Sequence, residues 1–159
     1  MLKFEGGVRL GTLLIAVAGL LVAPFAYADD MDDVMDIVQQ YADLEGDLEA
    51  QARLIRDDRV MITNVRQTDQ AMNMAVQIAA AKANDAANGG PTQVFTSIES
   101  PVIRIYGDVA VASFVRLFTV IPNGQPPNNT PPLWFTLVLV KERGNWGIAH
   151  SHISPAGGN

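Results

Sequence analysis

One stretch near the end of the chain constrains the fold more than any other: Trp146-Gly147-Ile148-Ala149-His150-Ser151-His152-Ile153-Ser154. Read with a period of two, Trp146, Ile148, His150, His152 and Ser154 fall on one face, and Ala149, Ser151 and Ile153 on the other. One wall of large, polar-tipped side chains and one of small ones describe a strand that closes a sheet over an interior. Leu133 to Lys141 reads as the strand before it, with Glu142-Arg143-Gly144-Asn145 as the turn that pairs the two. Strand parity assigns residues to faces relative to one another, not to the inside or outside of the molecule.

Upstream, Val34, Met35, Ile37, Val38, Tyr41, Ala42 and Leu44 recur at spacings of three and four, the pattern of an amphipathic helix. Asp29-Asp30-Met31-Asp32-Asp33 supplies its acidic first turn. These aspartates lack the alternating spacing and distal Glu of a calcium-binding loop. Gly46 interrupts the pattern, and Asp47 is the expected N-cap of a short helix from Leu48 to Arg56, with Leu48, Ala52 and Ile55 inward. Asp57-Asp58-Arg59 ends that helix, and Val60 to Thr63 is a short strand. Asp69 caps a third helix, Gln70 to Asn84, with Met72, Ala75, Val76, Ile78 and Ala79 as its buried stripe. Asn88-Gly89-Gly90-Pro91 stops it. Strands follow: Gln93 to Ser100, a kink at Pro101, Val102 to Tyr106, a turn at Gly107-Asp108, and Val109 to Ile121. A proline- and asparagine-rich loop over 122–132 precedes the two closing strands, and 155–159 is a tail. Helices first and an antiparallel run of strands afterwards define an α+β domain.

The first 28 residues read as a cleavable leader, with an uncleaved N-terminal anchor as the alternative. Lys3 and Arg9 make a weakly basic start, Leu10 to Ala23 carry no charge, and Ala26-Tyr27-Ala28 fits the small-x-small cleavage rule. The apolar run falls short of the ~20 residues that span a bilayer. Cleavage after Ala28 leaves residues 29–159, with the folded domain over 29–154, in the periplasm or outside the cell. Removing Lys3, Arg9 and Glu5 turns 11 basic and 17 acidic residues into nine and sixteen, a net charge of −7. That balance repels phosphate backbones and anionic lipid heads, so neither nucleic acid nor a membrane is an expected partner of the cleaved chain. The chain has no cysteine, which removes thiol nucleophiles and cysteine-ligated metals.

The W-x-I-x-H-x-H-x-S pattern of Trp146 to Ser154 resembles the closing strand of SnoaL-like proteins in the NTF2-like superfamily. It is also similar to the end of the association domain of calcium/calmodulin-dependent protein kinase. The I-x-I-Y-G-D-V-A-V-A-S segment from Ile103 to Ser113 resembles the SnoaL-like hairpin that turns at a G-D pair. The opening order of long helix, G-D-L and D-D-x-V-x-I is similar too. The resemblance implies an NTF2-like cone, in which N-terminal helices pack in a strongly curved antiparallel sheet around a central pocket. It also implies that the histidine face points inward. Members of that superfamily put different chemistry, or none, into the pocket.

His150 and His152 are the only histidines. Alternate strand residues sit about 7 Å apart at the backbone, so both imidazoles can address one ligand or proton. Three readings stand: pocket lining, acid/base catalysis, or a metal shared with Asp57 or Asp58. Asp58 is the carboxylate candidate for acid/base work, although ordinary turn chemistry also accounts for an Asp pair there. Arg104 and Arg116 are isolated cations in apolar strands, and either one facing inward needs a carboxylate or an anionic ligand. Tyr41 and Trp134 complete the expected pocket set of Tyr41, Arg104, Arg116, Trp134, His150 and His152. No Gly-x-Ser-x-Gly elbow or phosphate-cradling glycine loop is present, and no cofactor or resident metal is expected. The first expectation is therefore an exported binder of a small apolar or anionic molecule. The alternatives are a cofactor-free isomerase, cyclase or hydrolase, and an assembly domain. A homodimer through the outer sheet face is expected, with Val138, Val140, Ala149, Ser151 and Ile153 on that face.

Overall fold

The computed structural model describes residues 23–63 and 66–157. Residues 1–22 of the expected leader, the side chain of Met72, and Gly158 and Asn159 of the expected tail lie outside the described residues. Helix α1 covers Ala23–Asp43, so the Asp29–Asp33 run sits inside it rather than in its first turn. Its three- and four-residue spacing buries Val34, Val38, Tyr41 and Ala42 against the sheet. Asp30 ties α1 to the far end of the sheet. Its carboxylate accepts hydrogen bonds from the Lys141 ammonium and from Trp146 Nε1, the latter at 3.3 Å.

After α1 come a 3-10 turn at Leu44–Gly46, the short helix α2 at Leu48–Gln51 and a second 3-10 turn at Ala52–Leu54. Asp47 caps α2 as expected, accepting from Ala50 N at 3.0 Å. The chain is already extended at Ile55, because β1 (Ile55–Thr63) pairs with the closing strand from there on. The helix expected to reach Arg56 thus ends early, since sheet pairing overrides its helical propensity. β2 (Arg66–Asp69) folds back on β1, and α3 spans Gln70–Ala87. The α3 stripe is rotated from the expected one. Met74 is buried and Gln77 and Ile78 are half-buried, whereas Ala75, Val76 and Ala79 face solvent.

The remaining strands are β3 (Gln93–Tyr106), β4 (Val109–Ile121), the two-residue β5 (Asn128–Asn129), β6 (Leu133–Glu142) and β7 (Asn145–Pro155). They form a curved, unclosed sheet in the order β2-β1-β7-β6-β4-β3, with β5 added to β4. All pairs are antiparallel except β1 with β7, which is parallel. The expected kink in β3 is a register shift between Glu99 and Val102, where Ser100 takes φ 52°. The helices lie in the concave side, over Ile103, Ala110, Ala112, Phe114, Phe135, Leu137, Leu139 and Ile148. Phe114 and Phe135 stack there with centroids 5.5 Å apart.

One irregularity decides what each face carries. Leu139 pairs with Ile148, but Val138 pairs with His150, so Ala149 is an extra residue in β7. Trp146 and Ile148 point inward with Leu139. Beyond the bulge the parity is inverted: Ser151 lies with buried Leu137, Ile153 with buried Phe135, and His150 and His152 with Val138 and Thr136 on the convex side. His150 and His152 therefore do not line the interior, although Trp146 and Ile148 of the same expected face do. The expected outer set is corrected with it, because Ser151 and Ile153 turn in, while Val138 and Val140 stay out beside the histidines.

Two stability measurements follow. Leu137→Ala should cost ~2–5 kcal/mol in urea unfolding, whereas His152→Ala should change stability by less than ~0.5 kcal/mol. The Lys141 hydrogen bond, ahead of that from Trp146, holds the Asp30 carboxyl below its ordinary value of 3.8, against an opposing desolvation. A depressed carboxyl contributes stability above 3.8 and loses it as pH falls through the lower folded value. Asp30→Asn should accordingly lower the thermal midpoint at pH 7, and the gap to the wild type should close in strong acid.

Candidate functional site

Between the helices and the concave side of the sheet is a cavity of about 180 Å³. Its apolar wall is Met61, Phe118, Leu133, Phe135 and Ile153, and its polar groups come from Tyr41, Glu45, Gln51, Gln77 and Arg116. Of the pocket set expected from sequence, Tyr41 and Arg116 are here. Arg104 is exposed and donates to the carbonyl of Ile103 at 2.8 Å, and Trp134 is 47% exposed on the convex side. His150 and His152 are turned away by the bulge. Asp58 is on β1, exposed and paired with Arg56 at 2.9 Å, and Arg56 also reaches Glu142 at 2.9 Å. That pairing, led by the Arg56 hydrogen bond, holds the Asp58 carboxyl below its ordinary range. Asp57 is exposed as well. Among the described residues no cluster of three or more His, Cys, Asp or Glu has metal-holding geometry.

Arg116 is the dominant group. It sits at an inward position of β4, opposite Ile98 of β3 and Leu133 of β6, and is 1% exposed. Nη2 donates to Glu45 Oε2 at 2.7 Å and to the carbonyl of Ala42 at 3.3 Å, while Nε is buried without a hydrogen-bond partner. Three aromatic rings surround the guanidinium carbon, with centroids at 4.3 Å for Phe118, 5.0 Å for Phe135 and 5.4 Å for Tyr41. Gln51, 2% exposed, braces the counter-ion, giving hydrogen bonds to Glu45 Oε2 at 2.8 Å and to the carbonyl of Tyr41 at 2.7 Å.

A second buried guanidinium belongs to Arg59. Arg59 on β1 is 1% exposed and near enough to the Tyr41 side chain to act on its ionisation. Burial holds the Tyr41 phenol above its ordinary value, and the Glu45 charge adds to the rise; Arg59 and Arg116 oppose it. Burial likewise pulls Arg59 down from its ordinary value. Tyr41 is therefore a neutral hydroxyl across the physiological range. The site can hold an anionic head group against Arg116, offer it a neutral phenol, and bury an apolar body against the rings.

Glu45, Gln51 and Arg59 were not among the expected site residues. Arg59 alternates with Met61 against Val60 and Ile62, a signal hidden by extending the preceding helix. Glu45 and Gln51 come from the irregular turns around α2, where periodicity carries no information.

The family model described as "SnoaL-like domain" matches residues 34–157. No curated protein matches the chain in sequence. Among solved structures, an NTF2-like protein with a cystatin-like fold from Novosphingobium aromaticivorans superposes with a TM-score of 0.69 at 14% identity, covering 91% of this chain and 94% of that one. ActVI-ORFA from Streptomyces coelicolor gives 0.62 at 15% identity, over 82% and 97% of the two chains. The calcium/calmodulin-dependent kinase II hub homology domain from Chlamydomonas reinhardtii gives 0.61 at 22% identity, over 83% and 98%. At these identities the likeness is one of fold.

The two members of the ion pair are not equivalent. Glu45→Ala leaves a fully buried charge without its counter-ion and should cost ~3–5 kcal/mol in denaturant unfolding. Arg116→Met leaves a glutamate that reaches water, and should change stability by less than ~1.5 kcal/mol.

Proposed function

The chain belongs to the SnoaL-like domain family, and from that premise we propose that it is an exported small-molecule-binding protein whose ligand is a small anion with an apolar body. The observation that carries this reading is Arg116: a guanidinium 1% exposed, set in a ring of three aromatics at the edge of a cavity. A buried cation is costly to keep, and Glu45 leaves its Nε without a hydrogen-bond partner, a deficit that an incoming anion would make good. At about 180 Å³ the space is smaller than the roughly 300–1,000 Å³ that holds drug-sized ligands, which points to a short acid.

Export rests on the leader expected over residues 1–28. Cleavage after Ala28 would leave Asp30 as the second residue, and its bonds to Lys141 and Trp146 would anchor the new terminus. A cofactor-free acid/base enzyme is the second reading, and one observation favours it. Tyr41 is a buried neutral phenol near Arg59 at the cavity wall, an arrangement able to stabilise a developing oxyanion. In that reading the acid role falls to Tyr41 rather than to His150, His152 or Asp58, which lie outside the cavity. Self-association through the convex face is proposed as well. Val102, Val109 and Trp134 are exposed there, next to Val138 and Val140, and the fold is shared with a hub homology domain.

Native mass spectrometry of the exported protein tests the proposal. The subunit mass should equal residues 29–159, and a small acid should be retained by the wild type and lost from Arg116→Met. A wild-type protein that carries nothing and binds no member of a panel of short acids contradicts the binding reading.

A further inference from the structure

Glu45 belongs to two spaces at once. It lines the cavity beside Arg116, and it also lines a wider outer cleft of about 370 Å³ between the Leu44–Gly46 turn, α2, α3 and the start of β3. Its side chain keeps 29% exposure although its partner has 1%. The residue sits in a single 3-10 turn without a side-chain cap, a weakly held type of segment, and Gly46 follows it. Its carboxylate also engages Arg116 incompletely. A single oxygen, Oε2, serves both Nη2 at 2.7 Å and Gln51 Nε2 at 2.8 Å. Nε, on the same edge of the guanidinium, is left buried without a partner. A carboxylate that approaches this edge with both oxygens makes two charge-assisted bonds where Glu45 makes one.

We propose that Glu45 is a displaceable stand-in for the ligand: a small monocarboxylate enters the cavity, its head group takes Nε and Nη2 of Arg116, and Glu45 turns out into the cleft. This rests on the reading of the cavity as a ligand site. The exchange replaces one anion by another, so the buried guanidinium never loses its counter-charge, which is the expensive event. The outward position has its own cost, because Asp47, Glu49 and Asp85 also line the cleft. Lys82, 2.7 Å from Glu49, offsets that cost only in part. The balance keeps Glu45 on Arg116 when no acid is present and makes it a competitor that lowers the apparent affinity by the fraction of time it occupies the site.

Isothermal titration with benzoate, and with benzamide as the uncharged control, tests the exchange on the wild type, Glu45→Gln, Glu45→Asp and Arg116→Met. Benzoate should bind the wild type, benzamide should not, and Arg116→Met should bind neither. Both Glu45 variants should bind benzoate at least about tenfold more tightly, since each removes the competitor. Glu45→Asp keeps the charge and shortens the reach by one methylene, and it covers the case in which Glu45→Gln fails to fold. Equal affinity in the wild type and both variants overturns the exchange while leaving the ligand site standing. Tightening in Glu45→Gln alone reports only the removal of a nearby negative charge, and also overturns it. Absence of binding to every variant removes the ligand site and the exchange together.

Discussion

The interaction on which the rest depends is the burial of the Arg116 guanidinium. Taking such a charge out of water costs several kcal/mol unless it is paired and hydrogen-bonded. The compensating groups come from several parts of the chain: Glu45 from the turn after α1, the Ala42 carbonyl from the end of α1, and the ring faces from α1, β4 and β6. The ion pair therefore fixes where the end of α1 sits over the sheet, and Gln51 fixes the direction from which Glu45 approaches. Thr96 adds a bond at 2.7 Å to the same Ala42 carbonyl.

The fold was largely legible in the sequence because its determinants are local. Helical spacing marked α1, and turn residues marked the two hairpins at Gly107-Asp108 and at Arg143-Gly144, where φ is positive at Gly107, Arg143 and Gly144. Helices before strands indicated the class. The orientation of the closing strand was not legible, because a single bulged residue at Ala149 inverts the parity of everything after it. Nothing in Ile148-Ala149-His150 announces a bulge. Both registers place apolar groups on both faces, and only pairing with β6 and β1 selects between them. The early start of β1 was hidden for the same reason: its partner lies about ninety residues further along the chain.

The site divides along the same line. Arg116 stood out as a lone cation between Val115 and Leu117, but those two apolar neighbours cannot tell inside from outside. Its counter-ion was out of reach of any pattern, since Glu45 is 71 residues away in sequence and belongs to an irregular turn. Tyr41 was legible from the helical stripe, and Arg59 became a site residue only once β1 was known to begin at Ile55. Of the expected set Tyr41 and Arg116 line the cavity, but the imidazoles belong to the convex side. The concave side of the sheet thus carries the cavity, and the convex side carries the two histidines and the exposed Val102, Val109 and Trp134.

A crystal structure grown with benzoate addresses the central claim, that Arg116 is the anchor of an anion site, most directly. The account predicts the carboxylate on the Nε and Nη2 edge of Arg116, the ring against Phe118 and Phe135, and Glu45 directed into the outer cleft. Benzoate bound elsewhere, or an empty cavity with the Glu45–Arg116 pair intact at saturating benzoate, would contradict it.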